Sequence, residues 1–227
     1  MSNRRGFLRD NSLGLFFLAA FLLALAGQAL AGRTEYNNQL EAEQLEPVGF
    51  WTYVSSSDFG VDVMENWQSE YLQFFLYIFL TVWLVQRGSP ESKSPGREGR
   101  ESDEEQYAGE HAAADSPRWA SAGGTRQWVF SRSLGLVMGT IFVLSWLAQS
   151  LAGAAAHNER RLQQLQAPLS WGQYLTSADF WSRTLQNWQS ELLAIASMAV
   201  LSVYLRQRGS PESKPIGSAH ASTGVEG

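Results

Sequence analysis

LGLFFLAAFLLALAGQALA, residues 13–31, contains no charged side chain and consists mostly of Leu, Phe and Ala. About twenty such residues, wound as a helix, cross a hydrocarbon layer of roughly 30 Å, so the run is long enough to span a bilayer. Residues 134–153 carry the same signal. Outward from each run lies a second, shorter apolar stretch, Tyr71 to Val85 and Leu192 to Leu205. By length alone these stretches read equally as buried helices of a soluble protein.

What resolves them is a repeat. Asn66-Trp67-Gln68-Ser69-Glu70 recurs as Asn187-Trp188-Gln189-Ser190-Glu191, and the eight residues from Gln86 to Lys93 recur from Gln207 to Lys214, both at an offset of 121. The offset holds without a gap from Arg5/Arg126 to Lys93/Lys214, with 34 identities over 89 paired positions. This pattern reads as a tandem duplication of a two-helix unit. The expected architecture is all-α: an integral membrane four-helix bundle made from two copies of a transmembrane helical hairpin. Residues 1–93 form the first unit and 126–214 the second. Residues 94–125 and 215–227, rich in Gly, Ser, Ala and charge with no apolar period, read as a disordered linker and tail.

Charge sets the topology. Segments 1–12, 86–133 and 206–227 hold thirteen Lys and Arg together, whereas loops 32–70 and 154–191 hold four. This bias places both termini and the linker in the cytoplasm and the loops outside. One feature competes for the first helix: Asn3 to Arg9 resembles a twin-arginine export signal, and Ala29-Leu30-Ala31 before Gly32 has the form of a signal-peptidase site. The matching segment Leu134 to Gly153 has the same Leu-Ala-Gly ending in mid-chain, where no signal peptide can act, so the first helix reads as an uncleaved anchor.

Composition excludes several classes. There is no cysteine, hence no disulfide, thiolate metal site or cysteine nucleophile. Charged residues make up 17%, below the roughly 25% of soluble domains, and the net charge of −5 gives no footprint for nucleic acid. His111, His157 and His220 are far apart, and no phosphate-binding glycine loop appears. No catalytic set, metal or cofactor is therefore expected. The partners implied are the lipid bilayer and either a second copy or another membrane protein.

The second helix of each unit is expected to start at a Ser/Thr-x-x-Asp cap, Ser55 to Asp58 and Thr176 to Asp179, and to run to Arg87 or Arg208 before Gly88 or Gly209 stops it. With Arg87 at the inner headgroups, Glu70 lies about 25 Å up the helix, near the outer boundary. Ionisable groups at such a depth face the protein interior and have partners. Gln28 and Gln149 are the strongly polar side chains of the first helices at similar depth. The candidate polar layer is Gln28, Asn66, Gln68 and Glu70 with Gln149, Asn187, Gln189 and Glu191, which either locks helix packing or lines a pocket for a cation, proton or small amine. Trp67 and Trp188, with Phe50, Trp51, Trp171 and Trp181 among others, read as an outer interfacial aromatic belt.

The paired Asp-Phe, Asn-Trp-Gln-Ser-Glu and Gln-Arg-Gly-Ser-Pro-Glu-Ser-Lys motifs resemble those of a bacterial membrane-protein family that carries only a domain-of-unknown-function label. The resemblance covers residues 5–93 and 126–214 and implies a multi-pass inner-membrane protein without an assigned reaction. The expected function is that of a structural, interaction or accessory component of the inner membrane. The alternative is a small transporter or channel-like protein using Glu70 and Glu191. An exported enzyme, released by cleavage after Ala31, is the third reading.

Overall fold

The structure is a computed structural model and describes residues 2–225. Among these the regular elements are helices, with no strand. They are α1 (Ser2–Asp10), α2 (Ser12–Ala42), α3 (Phe50–Val54), α4 (Ser57–Leu80), α5 (Thr125–Phe130), α6 (Ser133–Gln163), α7 (Trp171–Leu175) and α8 (Ala178–Tyr204), with a single 3-10 turn at Gly109–His111. α2 and α6, each 31 residues and therefore about 46 Å long, are long and apolar enough to cross a membrane.

α2, α3 and the start of α4 recur 121 residues on as α6, α7 and the start of α8. α2 ends in a Schellman turn: Gln44 is left-handed (φ 62°), Leu45 N–H donates to the Leu40 carbonyl at 2.8 Å, and Gln44 N–H donates to Glu41 at 3.0 Å. α6 ends the same way, with Leu165 at φ 56°, Gln166 donating to Arg161 at 2.7 Å and Leu165 to Leu162 at 3.0 Å. The chain then returns along its own helix, held by an asparagine. Asn37 donates to the Val48 carbonyl and accepts from its N–H (3.1 and 2.8 Å), and Asn158 does both to Leu169 (2.9 and 2.8 Å).

The caps of α4 and α8 fall one residue later than the motif suggests. Ser56 Oγ accepts from Phe59 N–H and Ser177 Oγ from Phe180 N–H, at 3.3 and 3.2 Å. Ser55 and Thr176 instead turn back to the carbonyls of Trp51 and Gln173. Both helices also stop before the expected arginines. After Leu80 the turn is held by Thr81 Oγ1 on the Tyr77 carbonyl and by Gly99 N–H on that of Val82. After Tyr204, Arg206 folds back onto the carbonyls of Ser202, Val203 and Leu205, satisfying the free helix end.

The chain divides into two compact units. The first comprises residues 1–63 and 151–169. Its centre is Tyr53, 4% exposed, lying against Gly32 where any Cβ would collide with the tyrosine hydroxyl, and within 5.4 Å of the Phe59 ring. Asp58 pairs with Arg160 at 3.5 Å and Ser57 with Glu159 at 3.1 Å. The second unit comprises residues 64–150 and 170–227. In it α4, α6 and α8 touch pairwise: Gly139 lies under the Phe75 ring, the Phe142 and Trp188 rings meet at 6.5 Å, and Arg183 pairs with Glu65 at 3.0 Å. Tyr174, 1% exposed, packs on Phe180 at 5.6 Å, the counterpart of the Tyr53–Phe59 contact.

Candidate functional site

The polar side chains singled out by the sequence fall into three groups. Gln68 and Gln149 are buried, at 0% and 1% exposure. Gln28, Asn187, Glu191, Trp67 and Trp188 are half-buried. Asn66, Glu70 and Gln189 are exposed.

Within the second unit the buried members are held by hydrogen bonds between helices. Gln68 Oε1 on α4 accepts from the Trp188 indole N–H on α8 at 2.7 Å, and the Gln68 amide donates to the Glu65 carbonyl one turn back. Gln149 on α6 reaches Thr184 on α8 at 3.5 Å, a long bond. Gln149 Oε1 and Trp146 Nε1, one turn apart on α6, are buried without a hydrogen-bond partner among the described residues. Glu70 on α4 is exposed, whereas Glu191 on α8 is half-buried. A charged chain extends the layer: Tyr174 hydroxyl donates to Asp179 at 3.1 Å, Asp179 lies 3.9 Å from Arg183, and Arg183 holds Glu65.

Glu65, Thr184 and Trp146 were not among the sequence candidates. Each stands where the two halves differ: Glu65 opposite Gln186, Thr184 opposite Val63 and Trp146 opposite Leu25. Trp146 is the hub of an aromatic cluster, with ring centres of Phe142, Trp188, Phe180 and Trp181 within 5.7 to 6.2 Å. Such packing excludes water and rigidifies the buried amides around it.

The two copies of Asn-Trp-Gln-Ser-Glu present opposite sides of their helices. α4 buries Val61, Gln68, Ser69 and Leu72, whereas their counterparts on α8, Ser182, Gln189, Ser190 and Leu193, are all exposed. α8 buries Phe180 and Thr184 and half-buries Trp188 and Glu191. Outside the apolar runs, the Tyr53 hydroxyl is pushed above its usual pKa by burial, then by Asp62 and Asp58.

A family model described as a domain of unknown function, DUF6766, matches residues 4–225. The chain belongs to that family. The match spans both helix pairs, the intervening segment and most of the tail. No curated protein and no solved structure matches the chain.

Proposed function

We propose that this DUF6766 protein is a multi-pass protein of the bacterial inner membrane, a duplicated helical hairpin crossing four times with termini and linker in the cytoplasm. Its role is structural or adaptor-like, and the contact surface is the outer ends of the helices. The observation that carries this reading is the use made of the polar layer: Gln68 with Trp188, Gln149 with Thr184 and Glu65 with Arg183 join helix to helix, as packing hydrogen bonds in a membrane do. Trp51, 79% exposed, and the exposed Trp171 and Trp181 supply large rigid surfaces in the proposed outer segments, the side-chain type that anchors interfaces.

A second reading, transport of protons or small cations, draws support from the half-buried Glu191 and from the unpartnered, buried Gln149 oxygen. Flux measurements on proteoliposomes separate the two. Proton and cation flux equal to that of empty vesicles is the expected outcome. Flux above that level which falls in the Glu70→Gln, Glu191→Gln double variant would replace the adaptor reading with the transport reading.

A further inference from the structure

The octapeptide Gln-Arg-Gly-Ser-Pro-Glu-Ser-Lys folds alike in both places where it occurs. Ser92 Oγ accepts from Gln86 N–H at 2.8 Å and Ser213 Oγ from Gln207 N–H at 2.9 Å. Gly88 and Gly209 are both left-handed, at φ 89° and 80°. What covers the two loops differs. On the first lies the chain's own tail: Gly88 N–H donates to Thr223 Oγ1 at 2.8 Å and Gly224 N–H donates to the Ser89 carbonyl at 3.0 Å. Lys214, 1% exposed, fastens this arrangement by donating to the carbonyls of Gly88, His220 and Ser222 at 2.5, 2.9 and 3.2 Å. A Cβ at Gly88 would collide with the His220 carbonyl, so glycine is what lets the tail approach. Gly88, Ser89 and Pro90 are accordingly buried.

On the second loop the same surface is open. Gly209 and Pro211 are exposed and Ser210 half-buried. Gly209 N–H has no acceptor among the described residues, and a Cβ there would meet nothing within 4 Å. Beside it Gln207, Arg208, Gly209, Lys214, Pro215 and Ile216 line a shallow cavity of about 250 Å³. That is smaller than the roughly 300 Å³ at which pockets for organic ligands begin, and suits one or two small side chains.

We infer that the loop at Gln207–Lys214 is a docking site for an extended peptide segment of a partner protein, of the chemistry that the tail shows on the first loop. The segment carries a hydroxyl that accepts from Gly209 N–H. A following backbone N–H meets the second lone pair of the Ser210 carbonyl, whose first is held by Ser213 N–H. Neighbouring side chains are small. The chain's own tail does not fill this site because it is engaged on the first loop.

The test titrates a fluorescent synthetic peptide of residues 215–225 into the detergent-solubilised full chain and reads anisotropy and stoichiometry. One peptide per chain is expected, rising to two when residues 217–227 are deleted, which bares the first loop and keeps Pro215 and Ile216 at the second. A peptide carrying Thr223→Val keeps the shape but lacks the acceptor and should bind about tenfold more weakly, a single hydrogen bond's worth. Gly209→Val, which forces a branched side chain into a left-handed backbone, should abolish binding to the full chain. No binding to the full chain, binding only after tail removal, or equal affinity for the Thr223→Val peptide would each overturn the assignment.

Discussion

The turn-and-clamp segments that follow α2 and α6 and the Asn-Trp-Gln-Ser-Glu segments of α4 and α8 are both written twice in this chain, yet they behave oppositely. In the first pair the structure repeats: Asn37 and Asn158 clamp alike, Tyr53 and Tyr174 each pack on a phenylalanine ring, Ser56 and Ser177 cap alike, and Gln44 and Leu165, though different residues, are both left-handed. In the second pair five identical residues occupy different surroundings, because α4 turns Gln68 inward while α8 turns Gln189 outward. The clamps are made within one helix–turn–helix segment, the asparagines reaching residues eleven positions on, so the sequence of that segment suffices to specify them. The helix faces depend on rotation about the axis, which distant neighbours choose.

The most damaging way to probe this contrast is Tyr53→Ala beside Tyr174→Ala. Each removes a fully packed aromatic, so each should cost about 3–5 kcal/mol, and the two losses should agree within about 1 kcal/mol. Unfolding in mixed micelles, followed by tryptophan fluorescence, measures both; strongly unequal losses would break the equivalence of the clamps.

Gln68→Ala against Gln189→Ala should give unequal losses. The first strands the Trp188 indole N–H and should cost about 1–3 kcal/mol, while the second, at an exposed position, should stay within about 0.5 kcal/mol. Equal effects in the same unfolding assay would mean that the two pentapeptides are equivalent after all.

Leu165→Gly sharpens the clamp side in the other direction. Leu165 is 96% exposed and left-handed, a conformation in which a side chain costs about 1 kcal/mol or more, so glycine should stabilise the chain by about that amount. Gln44→Gly should do the same.

The smallest expected effect concerns pH. Burial, reinforced by Asp62 and Asp58, raises the Tyr53 pKa above 10, so the folded state holds the phenol neutral. Its contribution is complete below the unfolded value and is lost as pH rises through the folded one. Stability should therefore begin to fall only above about pH 10, and Tyr53→Phe should remove part of that fall in an alkaline unfolding series.

The legible and illegible parts of the sequence divide along the same line. The long helices α2 and α6 were legible because an uncharged apolar run of that length has few alternatives. The loop pins were present in the sequence as the identities shared by both halves: Gly32, Asn37, Tyr53, Ser56, Asp58 and Phe59 recur at 121 residues in a stretch where most other positions differ. The ends of α4 and α8 were not legible, because Arg206 and the Gln86 to Lys93 loop fold back where a continued helix was expected. Nor was the inward face. Gln68 and Glu70 are two residues apart, about 200° around a helix, so both cannot point inward, and depth arithmetic from Arg87 says nothing about rotation.

The central claim of four crossings is tested most directly by cysteine accessibility, since the chain has no cysteine of its own. Single substitutions Glu46→Cys, Gln164→Cys, Glu104→Cys and Ala221→Cys all lie at exposed positions. In intact spheroplasts an impermeant maleimide should label Glu46→Cys and Gln164→Cys, and should reach Glu104→Cys and Ala221→Cys only after the membrane is opened. Labelling of Glu104→Cys from outside, or protection of Gln164→Cys, would contradict the four-crossing account.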